Sequence, residues 1–353
     1  MGIVRSFPDL LEKRGILLAD GAMGSNLFGM GLQTGDCPEL WNDEHPDRIA
    51  GLHQRFIDAG ADIILTNTFG GTRYRLNLHN AGHRVEELNR KGARIARKQA
   101  EEAGREVMVG GSVGPTGEIL EPLGSLSIGA AADAFEEQAQ ALMQGGVDVV
   151  WIETMSSREE ATAAVIGASR TGLEVVVTFS VDTNGRTMMG LAPADIVQLV
   201  LELENAAFAI GANCGVGAAD TVAAVVNMRT AMNERQLETR VIAKANCGVP
   251  EYIDGEIVYS GTKKTMADYI RLCVDAGADI IGGCCGTTPG HVQAMRLALD
   301  GHVRQAPPDL AAIEHRLGEV SAGAKAQYRG DLSIAGGAVR SRGERRSRRR
   351  PRR

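Results

Sequence analysis

Eight short apolar runs rich in β-branched residues punctuate the chain, each followed by a stretch with helical spacing. They cover residues 15–20 (GILLAD), 62–66 (DIILT), 107–111 (VMVGG), 147–153 (VDVVWIE), 174–180 (EVVVTFS), 207–213 (AFAIGAN), 240–245 (RVIAKA) and 279–283 (DIIGG). Apolar and polar positions alternate only weakly within them, which predicts strands buried on both faces, as in a parallel sheet covered by helices. Between the runs, residues 47–59, 84–103, 130–144 and 263–276 have the length and spacing of amphipathic helices. A junction of helix, Gly, any residue, Asp and strand recurs, as AGADII at 59–64 and 276–281 and as GGVDVV at 145–150. Eight such units predict an α/β protein closed into a TIM (β/α)8 barrel, with its functional residues at the C-terminal strand ends. The barrel is predicted over 1–305 and a C-terminal extension over 306–339. In the extension 311–317 has helical spacing, but from Gly318 onward Gly, Ala, Ser and Arg replace periodic apolar positions and predict a mobile C-terminus. A disordered basic tail is predicted over 340–353.

Composition supports a packed core: 44% of the 353 residues are hydrophobic and 23% charged, the balance of a soluble globular chain. No run approaches the roughly 20 apolar residues of a membrane span, and the N-terminus lacks the order of a signal peptide, so a cytoplasmic location is expected. In that compartment the six cysteines would be free for metal or catalytic work rather than paired in disulfides. The net charge of −6 is polarised: residues 340–353 carry nine Arg against one Glu, or +8, leaving −14 for the rest. Such an acidic body argues against nucleic-acid binding by the main domain, and the tail reads as a solvated end.

The strand ends carry the chemistry. They read DGAMGSN (20–26), TNTFGG (66–71), GGSVGPTG (110–117), IETM (152–155), NCG (213–215), NCGVP (246–250) and GGCCGTTPGH (282–291). Cys214, Cys284 and Cys285 thereby arrive at one rim. Three thiolates with an open fourth position describe a catalytic zinc site, and the paired C-x2-C spacing of a structural one is absent. Two other readings stand beside it: inert buried cysteines, and a Gly-rich phosphate loop, which leaves the thiols unaccounted for. Cys247 ends the seventh strand and reads as a thiol neighbouring the metal. Core packing accounts better for Cys273 on a helix and Cys37 in the first loop. His53 and His291 lack metal-type spacing and read as structural or surface residues.

Taken together, DGAMGS, TNTF, IET, NCG and GGCCGTTPGH, in this order and at these distances, resemble the homocysteine S-methyltransferase family over about residues 10–300. The resemblance implies that Cys214, Cys284 and Cys285 hold one zinc ion and that homocysteine occupies its fourth position through sulfur. A free thiol of pKa about 8.5 is mostly protonated near neutrality, whereas coordination removes its proton. In-line transfer of a methyl group would then give methionine. The resemblance further implies that Glu153 holds the substrate amino group and that the backbone of Gly21, Ala22 and Met23 receives its carboxylate. Asp20 either faces the amino group or fixes its loop. Thr66, Asn67, Ser112, Asn213 and Asn246 are further contacts, or satisfy rim backbone groups.

Glycine betaine is the donor this resemblance favours, and Trp41 in PELWNDEHP is the aromatic candidate for its quaternary ammonium, or else a packing anchor. Animal betaine enzymes carry tyrosines where this chain has Gly70 and Met155, a departure toward the homocysteine domain of cobalamin-dependent methionine synthase. The alternative donors are therefore a separate methylcorrinoid protein, since no corrinoid domain fits after residue 300, and S-methylmethionine. A non-enzymatic zinc- or homocysteine-binding module is the alternative of another class. A zinc hydrolase would mix His and carboxylate ligands, unlike three thiolates. An oligomer is compatible with each reading.

Overall fold

The computed structural model describes residues 6–182, 184–203, 207–253 and 256–332. Eight parallel strands form one sheet: β1 (Leu17–Leu18), β2 (Ile63–Leu65), β3 (Met108–Val113), β4 (Val149–Met155), β5 (Glu174–Ser180), β6 (Ala209–Cys214), β7 (Arg240–Ala245) and β10 (Ile280–Gly283). Their order, β1-β10-β7-β6-β5-β4-β3-β2, is that of a ring. A parallel bridge between Ala19 and Ile63 closes it, with the Asp62 amide on the Leu18 carbonyl (2.6 Å) and the Asp20 amide on that of Ile63 (3.0 Å). The expected TIM barrel is thus present. An antiparallel hairpin, β8 (Pro250–Ile253) with β9 (Glu256–Tyr259), rises from the loop after β7, where the sequence suggested only a rim loop.

The weak alternation along the strands has a simple cause. One set of side chains, among them Leu17, Ala19, Ile63, Leu65, Trp151 and Ile242, fills the barrel interior, while Leu18, Ile64, Val150 and Ile152 on the opposite faces pack under the helices. Both sets are apolar, so the period of two disappears. The N-terminal helix Phe7–Arg14 adds Phe7, Leu10 and Leu11 to the interior cluster, and the Phe7 ring meets Phe208 edge-on just before β6. This helix covers the N-terminal end of the barrel and leaves the opposite mouth for a site.

The recurrent Gly-X-Asp junction is a clamp. Asp62, Asp148 and Asp279 accept the backbone amides of Leu18, Val109 and Val241 on the neighbouring strands, at 2.9, 2.8 and 2.8 Å. Each also pairs with arginine: Asp62 with Arg14 and Arg296, Asp148 with Arg97, Asp279 with Arg229. The glycines two residues earlier, Gly60, Gly146 and Gly277, have φ of 96 to 99°, where a side chain would be strained.

The C-terminal extension departs from expectation. Beyond the predicted helix, found at Leu310–Leu317, the chain from Gly318 forms a second helix, Ala322–Tyr328, with Ala324, Ala326 and Gln327 buried. Small residues allow it to lie close against the barrel helix Ala218–Glu234, and Ser321 donates to Asp220 (2.6 Å). The basic tail, 340–353, lies outside the described residues. No helix among the described residues is long and apolar enough to cross a membrane.

His53 is fully buried, and neither ring nitrogen has a hydrogen-bond partner among the described residues. Burial pushes its pKa down from 6.5 to about 4. Since the folded value lies below the unfolded one, the stability conferred by keeping it neutral is complete above about pH 6.5 and is lost as pH falls toward 4. The loss amounts to about 3 kcal/mol. His53→Leu is expected to flatten this acid branch, measured as urea unfolding at pH 7 and pH 5; equal losses in both proteins would contradict it.

Candidate metal and substrate site

At the C-terminal mouth the strand ends enclose a cavity of about 310 Å3. Asp20, Gly21, Ala22, Met23, Thr66, Asn67, Ser112, Glu153, Cys214, Cys284 and Cys285, all anticipated from the sequence, line it. The Sγ atoms of Cys214, Cys284 and Cys285 lie within 4.8 Å of one another. A tetrahedral site with Zn–S bonds of about 2.3 Å needs sulfurs about 3.8 Å apart, so a small adjustment would bring these three onto one ion.

The local backbone explains how they converge. Cys214 ends β6 with φ of 61°, in the left-handed region that a non-glycine residue adopts only when its surroundings enforce it. The Cys284 amide donates to Ala245 (2.7 Å) and the Cys247 amide to Cys285 (2.9 Å), tying the GCCG turn to the end of β7. At Gly286, φ is 77° and a Cβ would meet the Tyr259 ring at 2.3 Å, so only glycine fits. The Tyr259 hydroxyl from the hairpin in turn contacts the Cys285 thiol.

Crowding opposes ionisation of these thiols. Cys284 is lifted by Cys214, relieved in part by Cys285 and raised further by burial, to about 12. Cys214 is drawn down by Cys284 but lifted more by Cys285 and burial, to about 11. Three adjacent thiolates are stable only around a cation. The donor set fits one in a second respect: Asn246 Oδ1 is buried without a hydrogen-bond partner among the described residues while its side chain contacts Cys214. Soft sulfur donors suit zinc among the common divalent ions.

Beside the thiols lies a buried charge group that the sequence reading did not single out. Lys244 on β7 is 2% exposed; its Nζ stands 3.0 Å from Asp20 Oδ1 and 5.6 Å from the centre of the Trp151 ring. Burial works against its charge, but Asp20 and Glu153 outweigh it and hold the Lys244 pKa up. Asp20 Oδ2 accepts the Leu65 amide (2.7 Å), so Asp20 both fixes the first strand end and neutralises Lys244. Glu153 accepts from Ser112 Oγ at 2.6 Å; burial raises its pKa, opposed by Lys244 and Ser112. A lysine inside an otherwise apolar run, RVIAKA, was the available signal, since a buried ammonium requires acids around it.

Other anticipated residues take supporting positions. Asn213 is 1% exposed and does not line the cavity; its Oδ1 accepts from the Thr154 amide (2.8 Å) and Thr178 Oγ1 (2.7 Å), and its Nδ2 reaches Thr154 Oγ1 (2.7 Å) and Cys284 Sγ (3.9 Å). It braces Thr154, which also has a positive φ of 66°. The Ala22 amide is already spent on the Thr287 carbonyl (3.0 Å), whereas the Gly21 and Met23 amides have no acceptor among the described residues. Trp41 is buried in the core, edge-on to His45 and covered by Arg48, and does not line the cavity. Among the described residues, the phenyl ring of Phe69 does line it. Met155 is fully buried away from it. Cys247 lies outside the three-thiol group, Cys273 is in the core as expected, and His291 Nδ1 accepts the Thr288 amide (3.1 Å) at a helix start. Cys37 lines the cavity beside Glu39, an acid the sequence reading passed over.

Comparison with known proteins agrees with this geometry. The sequence profile of the homocysteine S-methyltransferase family matches residues 17–299. The chain is 30% identical over 308 residues to methionine synthase of Mycobacterium tuberculosis and 30% identical over 313 residues to that of Mycobacterium leprae. Each alignment covers 82% of this chain but 25% of the relative, so the chain spans about a quarter of the length of these proteins. Among solved structures, the metallated form of the homocysteine methyltransferase MmuM from Escherichia coli superposes with a TM-score of 0.67 at 26% identity, covering 82% of this chain and 98% of that one. Its oxidized form gives 0.66 at 25%, covering 82% and 97%. With its barrel, its three converging thiols and this match over most of its length, the chain belongs to the homocysteine S-methyltransferase family.

Proposed function

We propose that the protein makes methionine by zinc-dependent methyl transfer to homocysteine, with glycine betaine as donor. The observation that carries this is the three-thiol group at the floor of a cavity that also holds Glu153. A zinc ion on Cys214, Cys284 and Cys285 would supply the Lewis acidity that keeps a substrate thiol deprotonated at neutral pH. The other residues bind and orient. Glu153 receives the substrate ammonium, held in place by Ser112, whose own amide is fixed by Thr66 Oγ1 at 2.9 Å. The free Gly21 and Met23 amides receive the carboxylate. Asp20 and Lys244 compensate one another, leaving Glu153 as the acid available to that ammonium.

Purified protein supplied with zinc, homocysteine and betaine should release methionine and dimethylglycine, with one zinc per chain; chelation should abolish turnover and added zinc restore it. Glu153→Gln should raise the homocysteine KM about 10- to 100-fold, the worth of a hydrogen bond between charged groups. An unchanged KM would remove Glu153 from the binding site. A second reading is favoured by the methionine synthase relatives, of which this chain matches a quarter: a homocysteine module that takes its methyl from a separate methylcorrinoid protein. Methionine formed with that protein and not with betaine would select it. Zinc and homocysteine binding without turnover on any donor would indicate a binding module instead.

A further inference from the structure

A second carboxylate lines the cavity without a cation. Glu39, in the turn Pro38–Leu40, is 4% exposed. Its Oε1 accepts the Gly70 amide at 2.6 Å and its Oε2 the Cys37 thiol at 3.2 Å, and it forms no ion pair among the described residues. The glycine at position 70 leaves room for this contact, since a Cβ there would stand 3.0 Å from Glu39 Oε1 and the carboxylate would have to give by a few tenths of an ångström. The Phe69 ring lines the same space and is 37% exposed. Arg75 lines it too, and its guanidinium makes neither an ion pair nor a hydrogen bond among the described residues.

A buried acid beside an aromatic face, both turned to a cavity, matches a cation that keeps its charge at every pH and needs few hydrogen bonds. A methyl group becomes electrophilic when its carrier can leave as a neutral molecule, which is the property of an onium centre. We propose that Glu39 and Phe69 form the subsite for the onium head of the methyl donor, with Arg75 receiving the donor's carboxylate. This rests on the homocysteine methyl-transfer reading and names the residues that select its donor. In the step, the lone pair of the homocysteine sulfur, its proton already released to solvent, forms the new S–C bond. The C–N bond of the onium breaks and its electron pair remains on nitrogen. With betaine the products are methionine and dimethylglycine.

The donor loses its positive charge along this path, so Glu39 favours the bound donor over the transition state and acts on KM more than on kcat. The test compares betaine with its isostere 3,3-dimethylbutanoate, which keeps the carboxylate but has an uncharged tert-butyl head, used as a competitive inhibitor of the zinc-loaded enzyme. Glu39→Gln keeps an acceptor for the Gly70 amide but loses the charge. It should raise the betaine KM about 10- to 100-fold, with the isostere Ki, the homocysteine KM and the zinc content unchanged. A role limited to tethering the loop would move KM and Ki together or neither, and either result overturns the proposal. Phe69→Leu provides an independent arm, with betaine weakened several-fold and the isostere little affected; no difference between them overturns the aromatic contact. Arg75→Gln should weaken both ligands equally, since both carry a carboxylate. Should betaine fail as donor, S-methylmethionine replaces it as the onium probe. Turnover with a methylcorrinoid protein alone would sink the onium subsite and leave homocysteine methyl transfer intact, whereas loss of homocysteine binding itself would sink the underlying reading.

Discussion

Cys284→Ser is expected to reduce bound zinc from one ion per chain to almost none and to lower methyl transfer about a thousandfold or more, since a serine hydroxyl neither ionises at neutral pH nor matches the softness of a thiolate. Cys284 is the informative member of the three. Its amide is anchored to Ala245, Asn213 Nδ2 lies 3.9 Å from its sulfur, and the other two thiols flank it. The control is Cys247→Ser. Cys247 is fully buried at the end of the neighbouring strand but lies outside the three-thiol group, so this variant should keep its zinc while losing some stability. Metal analysis of both proteins after dialysis checks the pair of expectations. A Cys284→Ser protein that retains a full zinc complement, or a Cys247→Ser protein that loses it, would reassign the site.

Lys244→Met should be the most damaging single change away from the thiols. It leaves Asp20 buried with no cation and removes the positive charge nearest Glu153. Breaking a buried ion pair by deleting one partner costs about 3–5 kcal/mol. For a barrel of this size that is a fall of roughly 10 °C in Tm. Asp20→Asn in the same chain should recover much of the loss, because an amide needs no counter-charge and still accepts the Leu65 amide. Thermal unfolding of the two single variants and the double variant measures the coupling. Additive losses would show that Lys244 and Asp20 act independently, against the geometry of the pair.

Much of this molecule was legible before folding. Runs such as VVWIE and EVVVTFS marked buried strands because both faces of a barrel strand are apolar, and the repeated Gly-X-Asp marked the strand starts because each junction needs a left-handed glycine and a clamp for its neighbour's amide. NCG and GGCCG pointed to one thiol group because every strand of a barrel ends at the same mouth. What the sequence by itself determined was therefore which residues reach the rim. Which way they face there was decided by tertiary structure. Trp41 read equally as a donor contact or a packing anchor, and it lies in the core, since a loop residue can pack inward or outward with the same local sequence. Lys244, Glu39 and Arg75 looked like ordinary charges, and their significance comes from what surrounds them among the described residues: one buried between two acids, one buried with no cation, one with no acid. Charge pairing and burial arise between segments distant in sequence, as with the 224 residues separating Asp20 from Lys244, and only the closed barrel brings those segments together.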